Sequence, residues 1–252
     1  MPDQIEYTIV GDDMQGVVIY LDPGEAVSAE AGAMMYKSSG VEMDVGTQGA
    51  IFKGLKRMIT GESFFITTFK YDGSAKGEVA FSAPYPGKII PLDLSQGEML
   101  CQKDAYLCSA YGIDIDIAFT KRLGAGFFGG EGFILQRLSG DGLAFIHAGG
   151  AIIKKELKAG EVLQVDTGCL VAFSPQINYD ITFVGGIKTA LFGGEGLFFA
   201  NLSGEGVVYL QTLPFSRMAD RIVAASRPYG NKGETRSGGN LLGGLGRLIS
   251  GD

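Results

Sequence analysis

The alternation of apolar and polar residues predicts strands along most of the chain. Residues 41–45, 113–117 and 177–181 each alternate apolar and polar side chains with a period of two. That period is typical of a strand with one buried and one wet face. A short helix is predicted near the end, at residues 217–225, where Pro228 disfavours its continuation. The pattern therefore favours an all-β fold.

Longer segments of the sequence repeat. Residues 129–142 read GGEGFILQRLSGDG, residues 193–206 read GGEGLFFANLSGEG, and residues 61–69 form a weaker copy. A second landmark, a Gly-Glu pair, precedes the alternating segments in the same order at residues 24–25, 97–98 and 160–161. Two landmarks in matching order indicate a module of about 65 residues used three times.

Glycine-rich turns and connectors separate the predicted strands. The Ser-Gly-acid-Gly turns at residues 139–142 and 203–206 predict hairpins between the strands on either side. Residues 54–60, together with their counterparts in the other copies, predict short helical connectors. Residues 244–252 resemble the first connector and its Gly-Glu ending. We place module boundaries at 1–97, 98–160 and 161–226, followed by a Gly-rich linker and tail at 227–252, all in one compact unit.

Composition narrows the class of protein. Hydrophobic residues make up 46% of the chain and charged residues 19%, which favours extensive burial and a homo-oligomer. A net charge of −7 excludes general DNA binding and disfavours RNA. We recognise no signal peptide, transit peptide or transmembrane segment, so the expected location is the cytoplasm.

The residues that usually carry catalysis or bind metals are sparse. His147 is the single histidine, which argues against a multi-histidine metal site and favours an ordinary strand residue. Cys101, Cys108 and Cys169 have no Cys-x-x-Cys spacing, and we interpret them as reduced core thiols. We therefore predict no catalytic residue, no metal site and no cofactor.

Two sets of residues are candidates for repeated or interface positions. Glu62, Glu131 and Glu195 recur in the repeats and could form a ring of carboxylates that binds a hard cation. The favoured alternative is a repeated turn that caps a strand or pairs locally. Leu245, Leu248 and Ile249 lie in the C-terminal copy of the connector, which could fill a groove in its own chain or in a partner. The alternative is a frayed tail.

The Gly-Gly-Glu-Gly strand, the Leu-Ser-Gly-acid-Gly turn and the Leu-Gln-Thr-Leu-Pro ending at residues 210–214 occur together and in order. In this respect the chain resembles a bacterial member of the family named after a yeast protein for altered inheritance of mitochondria, across residues 4–226. The resemblance implies three β-sandwich modules about a pseudo-threefold axis, similar in fold to the tryptophan RNA-binding attenuator protein. It implies no catalytic residue.

These expectations point to a family of unknown function. The sequence favours a non-enzymatic scaffold or interaction protein that self-associates through apolar surface. The alternative is a small-ligand sensor with sites between modules, because the attenuator protein holds its ligand there. RNA binding is the third candidate, weakened by the acidic charge.

Overall fold

The computed structural model describes residues 5–44, 66–121, 133–183 and 198–226. In chain order the strands are β1 (Glu6–Val10), β2 (Gly16–Leu21), β3 (Ala26–Glu30), β4 (Met34–Lys37), β5 (Val41–Asp44), β6 (Ile66–Tyr71), β7 (Gly77–Ser82), β8 (Gly87–Asp93), β9 (Met99–Gln102), β10 (Tyr106–Ala110), β11 (Asp114–Lys121), β12 (Phe133–Ser139), β13 (Leu143–Gly149), β14 (Ile152–Leu157), β15 (Val162–Asp166), β16 (Leu170–Phe173), β17 (Asn178–Phe183), β18 (Phe198–Ser203) and β19 (Gly206–Gln211). The helix α1 is Phe215–Ser226. The predicted all-β fold is confirmed, and so is the C-terminal helix, which begins at Phe215 rather than Arg217. Within the described ranges, no helix has the length and apolarity needed to cross a bilayer.

The strands form four antiparallel sheets. Their strand orders are β1-β2-β7-β4, β5-β6-β3-β10-β13-β8, β11-β12-β9-β16-β19-β14 and β15-β18-β17, which we number as the first to the fourth sheet. The chain divides into two units, Met1–Met218 and Ala219–Asp252, and all four sheets belong to the first unit. Pairing crosses the predicted module boundaries, since β8 bonds to β13. The boundaries themselves stay predictions.

The same set of strand pairings occurs in three successive stretches of chain. β7 pairs with β2 and β4, while β6 pairs with β3 and β5. The corresponding strands β13 and β12 pair with β8 and β10 and with β9 and β11. In the last stretch, β19 pairs with β14 and β16, and β18 pairs with β15 and β17. The pseudo-threefold axis and the likeness to the attenuator protein stay predictions.

The Ser-Gly-acid-Gly turns join different sheets and do not close hairpins. β12 belongs to the third sheet and β13 to the second, and β18 and β19 are likewise in different sheets. The hairpin prediction is therefore wrong. The physical reason is that each of these strands already has two neighbours from other parts of the chain, so the turn carries the chain from one sheet to another. Gly140, in the first of these turns, has a φ of 141°, which favours glycine.

The predicted alternation of buried and exposed residues is present in β11 and β17, whereas in β5 Val41 is buried and the next three residues are all exposed. In β11, Ile115 is buried, while Asp114 and Asp116 on either side of it are exposed. The buried residues form two apolar clusters. One cluster contains residues of the first three sheets, and the other contains residues of the third and fourth sheets. Tyr7 of β1 meets Phe145 of β13 edge to face at 4.8 Å between ring centroids, which links the first two sheets.

Two of the three Gly-Glu landmarks, at residues 24–25 and 160–161, are tight turns between strands. The Glu25 carboxylate accepts a hydrogen bond from the Asp22 amide at 2.8 Å, and the Glu161 carboxylate accepts one from the Lys158 amide at 2.9 Å. The recurrence of Gly-Glu at these two places therefore reflects a shared turn geometry. The predicted helical connectors lie outside the described residues.

Candidate interaction edges

Two junctions join successive stretches of the chain into continuous sheets. β10 pairs with β3, with Cys108 opposite Ala29, and β16 pairs with β9, with Ala172 opposite Cys101. In each junction one strand has a β-bulge just before the paired residue. The other strand ends one residue after it. The two junctions therefore bring the same positions of the repeat together.

β4 is the counterpart of β10 and β16. Its pairing with β7 has the same bulge, between Met34 and Tyr36, that β10 has before Cys108 and β16 before Ala172. β4 nevertheless lies at the edge of the first sheet, and no described strand bonds to its other side. Every residue of β4 is exposed, whereas every residue of β10 and β16 is buried. β4 is more exposed than β10 and β16 because no described strand pairs with its other side.

β15 is the counterpart of β3 and β9, and it lies at the edge of the fourth sheet. Val162, its first residue, is 66% exposed. Next to the strand is an open concavity of about 620 Å³, lined by Leu157, Val162 and Leu163 between the charged Lys154 and Glu161. The β4 edge and the β15 edge are thus the two members of a third junction that is not formed among the described strands.

The β4 edge adjoins further exposed apolar side chains. Met35 is 57% exposed, and Val10 on β1 is also exposed. Both lie over Gly16 of β2, because a Cβ atom at Gly16 would meet the Met35 sulfur at 3.4 Å and a Val10 methyl carbon at 3.6 Å. Apolar surface of this kind is typical of protein contact sites, and flexible methionine adapts readily to a partner.

Acidic residues end the junction strands β3 and β15. Burial, and after it the nearby Asp104 carboxylate, raise the pKa of Glu30 to about 7, while Lys103 acts in the opposite direction. Asp166, the counterpart at the end of β15, accepts a hydrogen bond from Arg217 of α1 at 2.8 Å. The acidic residue at the end of the strand therefore has different neighbours at the formed junction, where it is Glu30, and at the open β15 edge, where it is Asp166.

His147 lies on β13 with 3% of its surface exposed. Its ring meets the Tyr85 ring edge to face at 4.6 Å, and among the residues that the structure describes its Nδ1 has no hydrogen-bond partner. Burial lowers the pKa of His147 to about 4, so the ring is neutral at pH 7. Cys101 and Cys108 are buried as well, and burial raises the pKa of both thiols. The burial of Cys101 and Cys108 agrees with their interpretation as core thiols, whereas Cys169 is only partly buried. His147 lies on a strand as predicted, but it is a buried residue and not a polar tip.

The candidate interface positions named from the sequence lie outside the described residues. They are Glu62, Glu131, Glu195, Leu245, Leu248 and Ile249. The carboxylate ring and the docking tail therefore stay predictions. Across the four described ranges, no group of three or more His, Cys, Asp or Glu side chains is placed to hold a metal ion.

Comparison with known proteins agrees with this architecture. The family model described as mitochondrial biogenesis AIM24 matches residues 7–213. The chain belongs to the AIM24 family. A protein of Streptococcus pyogenes serotype M6, described as uncharacterized, is 28% identical over 212 residues, covering 81% of this chain and 83% of the relative. An AIM24-like fold is also found in a crystallised Streptococcus pyogenes protein, with a TM-score of 0.73 and 25% identity, covering 88% of this chain and all of that one.

Membership of the AIM24 family does not identify a biochemical activity for this chain, because the relative described above is itself uncharacterized. Sequence reasoning did not find the two open edges. In β4, Met34 and Met35 stand at positions that β10 fills with Tyr106 and Leu107. The sequence shows this difference, and the structure shows that both methionines are exposed.

Proposed function

We propose that this protein is a non-enzymatic, cytoplasmic scaffold whose copies associate head to tail, with β4 of one copy pairing with β15 of the next. One observation carries the proposal. The described part of the chain forms the same strand junction twice, and within it one member of that junction at each end of the series has no strand paired to its open side. Exposed edge strands are ready templates for pairing with another chain.

The geometry of the formed junctions gives the register of the proposed one. Cys108 and Ala172 correspond to Tyr36, while Ala29 and Cys101 correspond to Val165. Tyr36 of one copy therefore lies opposite Val165 of the next. In the antiparallel pair the neighbouring residues Lys37 and Gln164 also lie opposite each other. Cα atoms opposite each other in such a pair are about 4.5–5.5 Å apart.

Burial of apolar side chains favours the association. Met35 and Tyr36 are exposed in the single chain, and the proposed junction covers them. Each large apolar side chain contributes about 1.5–3 kcal/mol when fully buried, and pairing adds backbone hydrogen bonds. Because the two edges differ, the contact is heterologous and repeats from copy to copy.

Disulfide trapping between two variants tests the register and the intermolecular contact together. One protein carries Lys37→Cys and the other Gln164→Cys, both in a Cys169→Ser background because Cys169 is only partly buried. Both substituted side chains are exposed. On mixing under mild oxidation, we expect a covalent dimer that contains one copy of each variant, since the proposed spacing lies within disulfide reach.

The matched control replaces Lys37→Cys with Lys70→Cys, an exposed lysine on β6 that is away from the β4 edge. This control forms no covalent dimer if the proposal is right. Equal cross-linking of the control contradicts the proposal. So does a variant carrying both cysteines that cross-links only within a single chain.

The concavity beside β15 favours a second candidate, a small-ligand sensor. Leu157 and Leu163 provide apolar contact, and Lys154 and Lys155 provide positive charge at its rim. Native mass spectrometry of freshly purified protein separates the two functions. Oligomers whose mass is that of protein alone support the scaffold, whereas a reproducible added mass supports the sensor.

A further inference from the structure

The helix α1 is amphipathic and presents apolar side chains to solvent. At 3.6 residues per turn, Phe215, Met218, Ala219 and Ile222 follow one face, and the opposite side carries charged residues. Ile222 is 60% exposed, and the adjacent Val223 is 54% exposed. A soluble helix normally buries such a face, so this helix has surface available for a partner.

Two contacts fix the first turn of α1. The Phe215 ring meets the Tyr85 ring at 5.2 Å between centroids, and Arg217 donates a hydrogen bond to Asp166 at 2.8 Å. Met218 donates its backbone amide to the Pro214 carbonyl at 3.3 Å. The start of the helix is therefore held, while the exposed apolar residues belong to its later turns.

Charge is distributed unevenly between the helix region and the rest of the chain. Residues 215–252 contain six Lys or Arg and three Asp or Glu, whereas the whole chain contains 21 and 28. The C-terminal region is thus basic in a protein that is acidic overall. In the sequence this basic stretch begins within α1 and continues after it, and basic residues combined with an exposed apolar helix face favour a surface that is both anionic and apolar below its charges.

We propose that α1 binds peripherally to the anionic surface of a lipid bilayer. Ile222 and Val223 enter the boundary between head groups and acyl chains, and Arg221 remains among the lipid phosphates. The exposed side chains favour lipid over RNA, because Ile222 and Val223 are aliphatic and offer no ring on which a base could stack. The proposal differs from head-to-tail association, since it uses the exposed side chains of the later turns of α1, whereas α1 meets the β15 edge through Arg217 in its first turn.

Vesicle co-sedimentation of the full chain tests the proposal. We expect the protein to bind phosphatidylcholine vesicles that contain phosphatidylglycerol and not vesicles of phosphatidylcholine alone. Added salt should weaken the binding. The variant Ile222→Glu/Val223→Glu should lower the partition coefficient by roughly tenfold or more. Arg221→Glu should lower it severalfold, with the larger effect at low salt.

Ile153→Glu is the matched control, because Ile153 is an isoleucine on β14 that is 46% exposed. It should bind vesicles as the unmodified protein does. Unchanged thermal unfolding confirms that each variant folds. The proposal is overturned if the unmodified protein does not bind anionic vesicles, if Ile153→Glu reduces binding as much as the helix variant, or if the helix variant still binds. It is also overturned if a single-stranded RNA oligomer binds and the vesicles do not.

Discussion

Glu30 shows how burial at a formed junction determines the behaviour of one residue. It is the last residue of β3, and burial raises its pKa from 4.5 to about 7, helped by the Asp104 carboxylate and opposed by Lys103. The folded protein therefore keeps a proton on Glu30 through a pH range in which the unfolded chain has lost it. Between these two pKa values the folded state binds more protons than the unfolded chain. The contribution of Glu30 to the free energy of unfolding therefore falls as the pH rises from 4.5 to 7.

Glu30→Gln removes this titration and should stabilise the protein at alkaline pH. The gain in the free energy of unfolding should be about 2 kcal/mol larger at about pH 8 than at about pH 5, because the charged form of Glu30 is penalised only at the higher pH. Urea unfolding of the variant and the unmodified protein at both pH values measures the difference. Glu205→Gln, at an exposed glutamate, is the control and should show no such difference. A gain that is equal at both pH values would contradict the assigned cause.

At the scale of the element, Gln211 ties the end of β19 to two other segments. Its side-chain oxygen accepts a hydrogen bond from the Gly149 amide, and its side-chain nitrogen donates one to the Gly168 carbonyl, both at 2.8 Å. All these atoms lie in a buried region, so no water replaces the side chain easily. Gln211 occupies the position on β19 that His147 occupies on β13, since both lie opposite an isoleucine of the neighbouring strand.

Gln211→Ala should lower the free energy of unfolding by about 2–4 kcal/mol, because two buried backbone groups each lose a partner. Thermal or urea unfolding measures the loss. Gln96→Ala is the matched control. Gln96 donates to Asp93 at an exposed site, and its removal should change stability by about 0.5 kcal/mol or less. Losses of equal size for the two variants would show that the buried bridge does not stabilise the fold.

The elements differ in how far the sequence predicts them. The strands follow from local patterns, and they occur where the sequence indicates. The hairpins failed because the choice of neighbour is not local: β12 and β13 are adjacent in sequence, yet each bonds to strands of other segments. The open edges at β4 and β15 escaped prediction for the same reason. Periodicity shows that a residue lies on a strand and does not show whether another strand lies beside it.

At the scale of the whole molecule, a heterologous contact has consequences that an isologous one lacks. Each copy offers one β4 edge and one β15 edge, so every addition leaves the same two edges at the ends of the growing assembly. Growth stops only when the ends meet in a ring or when an incoming copy lacks one functional edge. The size of the assembly is therefore sensitive to small amounts of a copy that can pair on one side only.

A variant with charges on β4 should act as such a terminator. Met35→Lys/Tyr36→Lys places two cations on the edge, which discourages strand pairing, and leaves β15 intact. Its β15 edge can join the β4 edge of an unmodified copy, and its own β4 edge then accepts nothing. Mixing it with unmodified protein in rising proportion should lower the mean mass measured by sedimentation velocity.

Tyr111→Lys, at an exposed tyrosine outside both edges, should leave the mean mass unchanged. If the β4 variant also leaves the mean mass unchanged, β4 is not the growing edge, because a head-to-tail assembly cannot extend past a copy that lacks it.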